Sequence, residues 1–270
     1  MSLFTPFAFM APQVSAAGPF SPASNPDLLA WYDASDTDTV TVVSNAVSQW
    51  DDKSGNGYNA TQVTAGLRPA WTINTLNSYN VLTFGNPGSP GERKLSLPSV
   101  PYNSNNNVSM YMVGRRLSSK SYSVAAGFYQ GSSQYTVNML FDNADQDYLA
   151  TYTNTGYDST LSMVDSTWYI LELIGNENSG TTWDVAFYGN GSAEGTVSNI
   201  SKYTVFGPPS GLIGSDEYGS YLIGDIAEIV LIDNTDSTDN RQKMEGYLAW
   251  KWGLEGDLPA DHPYKNSPPE

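Results

Sequence analysis

The chain contains no cysteine and a single histidine, and these two scarcities remove whole chemistries at once. Without thiols there is no disulfide, no thiolate nucleophile and no thiolate metal site, so stability must come from a core, a hard cation or subunit contacts. One histidine cannot close a tetrahedral zinc shell without three carboxylates beside it. A Ser-His-Asp relay would have to run through His262. That residue stands between Asp261 and Pro263 near the C-terminus.

Basic residues are also scarce. Twelve Lys and Arg face 28 Asp and Glu, a formal charge of −16, which repels phosphate backbones and anionic membranes. Neither nucleic acid nor a membrane is therefore an expected partner. No apolar run approaches the roughly 20 residues that cross a bilayer, and no glycine-rich loop has the spacing that cradles phosphate.

What is abundant favours strands and turns. The chain of 270 residues holds 24 Gly, 16 Pro and 18 Tyr, with only 15% charged residues. That mix suits strands and hydroxyl-covered surfaces over helix bundles, and an all-β unit of this size commonly stands as one domain. Residues 1–26 carry Phe4, Phe7, Phe9, Met10 and Phe20 among five prolines, an extended apolar arm that should cover its own sandwich or dock on a neighbouring subunit. Val14 to Ala17 faintly resembles a signal-peptidase site, but no Lys or Arg precedes it and Pro6 and Pro12 interrupt the apolar stretch; an uncleaved arm is expected.

From Asp27 onward short β-branched and aromatic runs alternate with turn clusters, with no repeat period and no linker, which reads as a sandwich or barrel. The domain is expected over 27–262, with 263–270 as a surface strap. Strands are expected at 28–33, 39–43, 47–50, 81–84, 108–114, 122–129, 135–141, 148–153, 168–174, 183–188, 211–214 and 221–232. The run 226–232 is almost wholly apolar, as suits a strand buried on both faces, and holds one charge, Glu228. Ile226 and Val230 are expected on its face. Beyond the turn at 233–236, Met244, Tyr247, Leu248 and Trp252 fall at helical spacing while Arg241, Lys243, Glu245 and Lys251 lie mostly elsewhere. Ser237 or Thr238 can cap this helix, and Gly253 with Pro259 can end it.

Five phrases carry a resemblance: Trp31-Tyr32-Asp33-Ala34-Ser35-Asp36; Trp50-Asp51-Asp52-Lys53-Ser54-Gly55-Asn56-Gly57; Gly224-Asp225-Ile226-Ala227-Glu228-Ile229; Glu245-Gly246-Tyr247-Leu248-Ala249-Trp250-Lys251-Trp252-Gly253-Leu254; and His262-Pro263-Tyr264. Together they resemble the concanavalin A-like lectin and glucanase superfamily, within it the laminin-G-like and pentraxin-like jelly rolls. The closing helix phrase is most similar to versions encoded by bacteriophages, often in virion proteins. The resemblance covers the opening and closing segments, and the middle by pattern only. It implies an all-β, two-sheet antiparallel jelly-roll sandwich with one C-terminal α-helix. It further implies framework roles for Trp31, Trp50, Asp51, Lys53, Ser54, Glu228, Tyr247, Trp252 and His262.

Glucanases of this fold place acidic residues in a tight Glu, Asp, Glu alternation on one strand, and no such triplet is present. Glu228 is read as a buried carboxylate that accepts backbone or Trp N–H bonds, or pairs with Lys53 or Arg241, and pins the opening loop to the last strand. No catalytic residue is assigned and no enzyme activity is expected. Asp142, Asp145 and Asp147 form the densest acidic loop, and Asp233 and Asp236, with Asp239, a second. Related domains often hold calcium in such places through carboxylates and carbonyls. Tyr102, Tyr129, Tyr135, Tyr157 and Tyr218 lie in or near loops and are candidates to stack on a sugar.

The expected function is a non-catalytic bacteriophage virion component, capsid-decorating or tail-associated and oligomeric in the assembly. Its arm would dock on other virion proteins, and its jelly roll would face outward and hold cell-surface glycans. One alternative is a secreted, extracellular carbohydrate-binding module or glycoside hydrolase; another is a calcium-dependent adhesion domain.

Overall fold

The computed structural model describes residues 19–270 apart from 86–87, 89–90, 101–106, 119–122, 131–133, 143–147, 153–155, 180–181, 202–209 and 217. In chain order its strands are β1 Leu28–Asp33, β2 Val40–Val43, β3 Ala46–Trp50, β4 Ala60–Thr61, β5 Ala70–Leu76, β6 Tyr79–Thr83, β7 Leu95–Leu97, β8 Val108–Arg116, β9 Ser123–Gln130, β10 Gln134–Asp142, β11 Tyr148–Tyr152, β12 Gly156–Ser162, β13 Tyr169–Ser179, β14 Thr182–Gly189, β15 Ser192–Ser201, β16 Ser210–Ile213 and β17 Gly224–Ile232. One helix, α1, spans Thr238–Trp252.

Two antiparallel layers result. The first runs β1, β17, β8, β13, β14, β15, with β6 and then β5 added beside the start of β17. The second runs β2, β3, β4, β7, β16, β9, β10, β11, β12. A single bridge from Ala46 to Ala70 joins them. This is the jelly-roll sandwich with one C-terminal helix that the sequence led us to expect. Because strand side chains alternate, the central strands of the first layer feed two cores. Tyr32, Met110, Met112, Leu171, Leu173, Val185, Phe187, Ile229 and Leu231 point between the layers, against Trp50, Leu95, Met139 and Phe141. Trp31, Tyr111, Val113, Ile170, Val230 and Ile232 point the other way, where Met244, Leu248, Ala249 and Trp252 of α1 cover them.

The last strand is buried along its whole length, as its composition requires. It also breaks the simple alternation. A register irregularity between Ile226 and Glu228 leaves Ile226 in the inter-layer core while Val230 shares the helix-facing side. The expectation that Ile226 and Val230 flank Glu228 on one face is corrected by this bulge, which re-aims one side chain.

Ser237 caps α1 by accepting the Asn240 amide, and Gly253 ends it at φ 71, its N–H bonded to Ala249, a left-handed position that only glycine adopts without cost. Five strands had no expectation from sequence: β4, β5, β7, β12 and β15. They are short, or polar and irregular. In β5 Asn74 sits at φ 50, and in β15 Gly195 sits at φ 107, so the alternating pattern that marks a strand is absent.

Candidate functional site

Ionisable residues beneath α1 form two buried networks. The first is built from the motif phrases. Glu228, fully buried, accepts at Oε1 from Trp31 Nε1 (2.7 Å) and Tyr247 Oη (2.9 Å), and at Oε2 from Trp252 Nε1 (2.6 Å) and Lys251 Nζ (2.8 Å). Lys251 reaches on to Asp33 Oδ1 at 2.7 Å. Lys53 binds Asp33 Oδ2 and Asp36 Oδ2, each at 2.8 Å, and lies over the Trp31 ring. Burial raises the pKa of Glu228 against the pull of Lys251. Burial also pushes Asp33 upward, but Lys251 and Lys53 outweigh it and hold Asp33 below its ordinary value.

Glu228 therefore does accept Trp N–H bonds and does tie the opening segment to the last strand. Its cation is Lys251, not Lys53 or Arg241. The helical wheel had set Lys251 and Glu245 mostly away from the packed side, yet Glu245 is fully buried and the Lys251 side chain is 14% exposed. Both follow from acids and bases supplied by other elements, which a wheel cannot show.

The opening loop is equally a framework. Asp52 accepts the amides of Trp31, Ser54 and Tyr58 and the Ser54 hydroxyl, and Ser54 and Asn56 bond back to Leu29. Asp51 accepts from Gln49. Trp50 is fully buried, its ring tilted against Tyr32. Asp33, Asp52 and Lys251 were not singled out as site residues; the Asp-Asp-Lys-Ser-Gly spacing was the signal for Asp52, while only the fold reveals the other two.

A second network lies one helical turn or more away. Glu245 receives Arg241 and His262 Nε2 at 2.7 Å, so His262 is the hydrogen-bonding strap residue expected of it. Arg241 also stacks on Tyr188 and lies 3.9 Å from Glu172 Oε2. Glu172, on β13, gave no sequence signal because a glutamate among Leu171, Leu173 and Ile174 reads as a solvent-facing residue. The strand registers instead set it in a row with Tyr111 and Tyr188 directly under the helix. Burial first, then Glu245, pushes its pKa well above the ordinary carboxylate range. Both carboxyls are fully buried, so a sugar cannot lie between them, which a glycosidase pair requires.

Among the described residues no group of three or more His, Asp or Glu is placed to hold a metal ion. Asp236 spends its oxygens on Asn25 and Tyr111. Asp233 is half-buried at the start of the same turn. Asp145 and Asp147 lie outside the described residues, as does the Asp142 side chain. Of the five tyrosines, Tyr102 and the side chains of Tyr129 and Tyr135 are likewise outside them. Tyr157 packs partly buried against the inter-layer core. Tyr218 is 60% exposed in the loop between β16 and β17, where Asp216 accepts the Tyr218 and Ser220 amides. Beside it Glu92 receives Ser215 and Lys94. The structure thus brings the framework residues together and, of the five tyrosines, places Tyr218 with its ring exposed in the loop before β17.

No protein-family model matches the chain, and no curated protein is similar to it in sequence. Solved structures are similar. Domain 4 of a GH43 extracellular arabinanase from Geobacillus stearothermophilus, in complex with arabinotriose, superposes with a TM-score of 0.58 at 15% identity, covering 79% of this chain and 95% of that one. A GH54 α-L-arabinofuranosidase gives 0.56 at 13%, over 81% of this chain and 58% of the other. Trypanosoma rangeli sialidase gives 0.55 at 13%, over 93% of this chain but 36% of the enzyme. The chain thus spans nearly all of one enzyme's domain and about a third of another whole enzyme. The expectation that the chain is not an enzyme is overturned by these neighbours, which are glycoside hydrolases; at this identity the likeness does not establish hydrolysis either. It shows the fold, a jelly-roll β-sandwich.

Proposed function

We propose that the chain is a carbohydrate-binding jelly roll of the kind built into secreted glycoside hydrolases, acting on or beside extracellular polysaccharide. The observation that carries this reading is the match to nearly the whole of an arabinanase domain whose structure holds arabinotriose. Tyr218, 60% exposed in the loop before β17, offers the kind of ring that stacks on a pyranose or furanose face. The bacteriophage virion role drawn from the closing phrase gains nothing from these neighbours, and the glycan reading takes its place.

Calorimetric titration with arabinan, xylan, β-glucan and sialylated oligosaccharides is expected to give binding to at least one, and Tyr218→Ala to weaken it about tenfold, the loss of roughly 1.4 kcal/mol that one stacked ring is worth. Release of reducing sugar from the same panel, measured alongside, reads hydrolysis. Absence of both binding and turnover across the panel sinks the proposal. Calcium held by the acidic loop of Asp142, Asp145 and Asp147 is part of this reading. Excess chelator is then expected to lower the thermal midpoint, since a cation bound only to the folded chain stabilises it by mass action; an unchanged midpoint rules out a tight structural ion.

A further inference from the structure

Charge does not balance beneath the first half of α1. Arg241, the one cation in this second network, contacts Glu245 and lies 3.9 Å from Glu172. His262 places Nε2 2.7 Å from Glu245 Oε2, and with its Nδ1 accepting the Tyr264 amide at 3.2 Å the ring donates to Glu245 without bringing a second positive charge. Asp236, in the turn before the helix, adds a further negative group, its oxygens engaged by Asn25 and by Tyr111 of β8. Tyr188 of β14 faces the guanidinium. Two fully buried carboxyls thus share one guanidinium, and among the described residues neither oxygen of Glu172 has a hydrogen-bond partner. A bare ionised carboxylate at that depth is among the costliest arrangements a fold can hold. A neutral carboxylic acid there is not, and its O–H can turn toward Glu245.

We propose that Glu172 and Glu245 hold a single proton between them, and that this proton latches the helix and the strap to the outer face of the sheet, so that residues 238–265 detach more readily as it is lost to the medium. The latch joins three separate parts of the chain: β13 through Glu172, α1 through Glu245 and Arg241, and the strap through His262. Tyr264, seated against Gly246, where even a Cβ would come within 2.6 Å, holds the strap to the helix so that the two move together.

The sign of the effect follows from linkage. Glu172 lies above its ordinary value of 4.5, so the stabilisation it brings is whole below about pH 4.5 and drains away as pH rises through its folded-state value. Asp33 runs the other way, being held low, while Glu228 and Asp236 are raised and share the sign of Glu172. The difference between the wild-type chain and Glu172→Gln, an isostere of the neutral acid, isolates this group.

Hydrogen exchange of residues 238–265 followed by mass spectrometry, corrected for the intrinsic rate, tests it. In the wild type the opening constant of this segment is expected to rise above about pH 4.5, with Glu172 contributing up to about tenfold per pH unit, one proton's worth, until its folded-state value is passed. In Glu172→Gln that component of the slope is expected to vanish, and the amides of β8 and β17 to change less with pH than those of the helix in either chain. Equal pH dependence in the two chains overturns the proposal. Should the variant fail to fold, the carboxyl carbon resonances of the wild-type chain decide: one neutral carboxyl in the pair at pH 6 upholds the latch, and two ionised ones refute it.

Discussion

Glu228→Ala is expected to unfold the protein or bring it to the edge of unfolding. The substitution leaves Lys251 with only Asp33 as its acid and strips the acceptor from two buried indole N–H groups and from the Tyr247 O–H, whose oxygen keeps the Lys251 ammonium as donor. Removing one member of a buried ion pair costs about 3–5 kcal/mol, and each orphaned donor about 1–3 kcal/mol more. These costs overlap, but even the lower figures approach the roughly 5–15 kcal/mol by which domains are stable at all. A fall in the thermal midpoint of more than about 10 °C, read by circular dichroism, is the expected result. The double variant Glu228→Leu with Lys251→Met removes both charges and should regain only part of the loss, because Trp31 and Trp252 still have no acceptor. A Glu228→Ala protein within about 1 kcal/mol of the wild type in urea would show that the network is ornamental.

Truncation before Arg241 is expected to have the larger effect and to yield insoluble protein. It removes Met244, Leu248, Trp252, Leu254 and Leu258 from the outer core, each worth about 1.5–3 kcal/mol of burial before entropy. It also uncovers Trp31, Tyr111, Val113, Ile170, Val230 and Ile232 as one continuous apolar face of the sheet, a surface that associates in water. The same cut takes away Lys251, Arg241 and His262, so the sheet keeps its acids and loses their partners. Solubility after lysis and a calorimetric melt check this; a soluble truncate that melts cooperatively would mean that the sandwich stands without its helix.

The structure explains why some side chains were legible in advance and others were not. Trp31, Lys53, Glu228, Tyr247, Trp252 and His262 sit in short local phrases whose spacing is already unusual, and each has a framework contact in the structure. Lys251 and Glu245 looked like solvent-facing residues of an amphipathic helix, and became buried because β17 and the strap bring Glu228 and His262 to them across sequence separations of 23 and 17 residues. Glu172 was invisible for the same reason in stronger form. Its only sequence neighbours are apolar, and its partners come from a helix more than sixty positions later.

The amino-acid order alone determined that this is a cysteine-free, acidic chain of short strands, a sandwich or a barrel, closed by one helix, because composition and periodicity report what a residue's immediate neighbours allow: strand, turn, cap or apolar stripe. Which acid meets which base was decided only by the tertiary structure. A bulge in β17 chose the face on which Glu228 lies, and the register of β13 between β8 and β14 set Glu172 under Arg241. Charge pairing acts through space over a few ångströms, and positions far apart in the chain reach that range only after the sheet, the helix and the strap have packed.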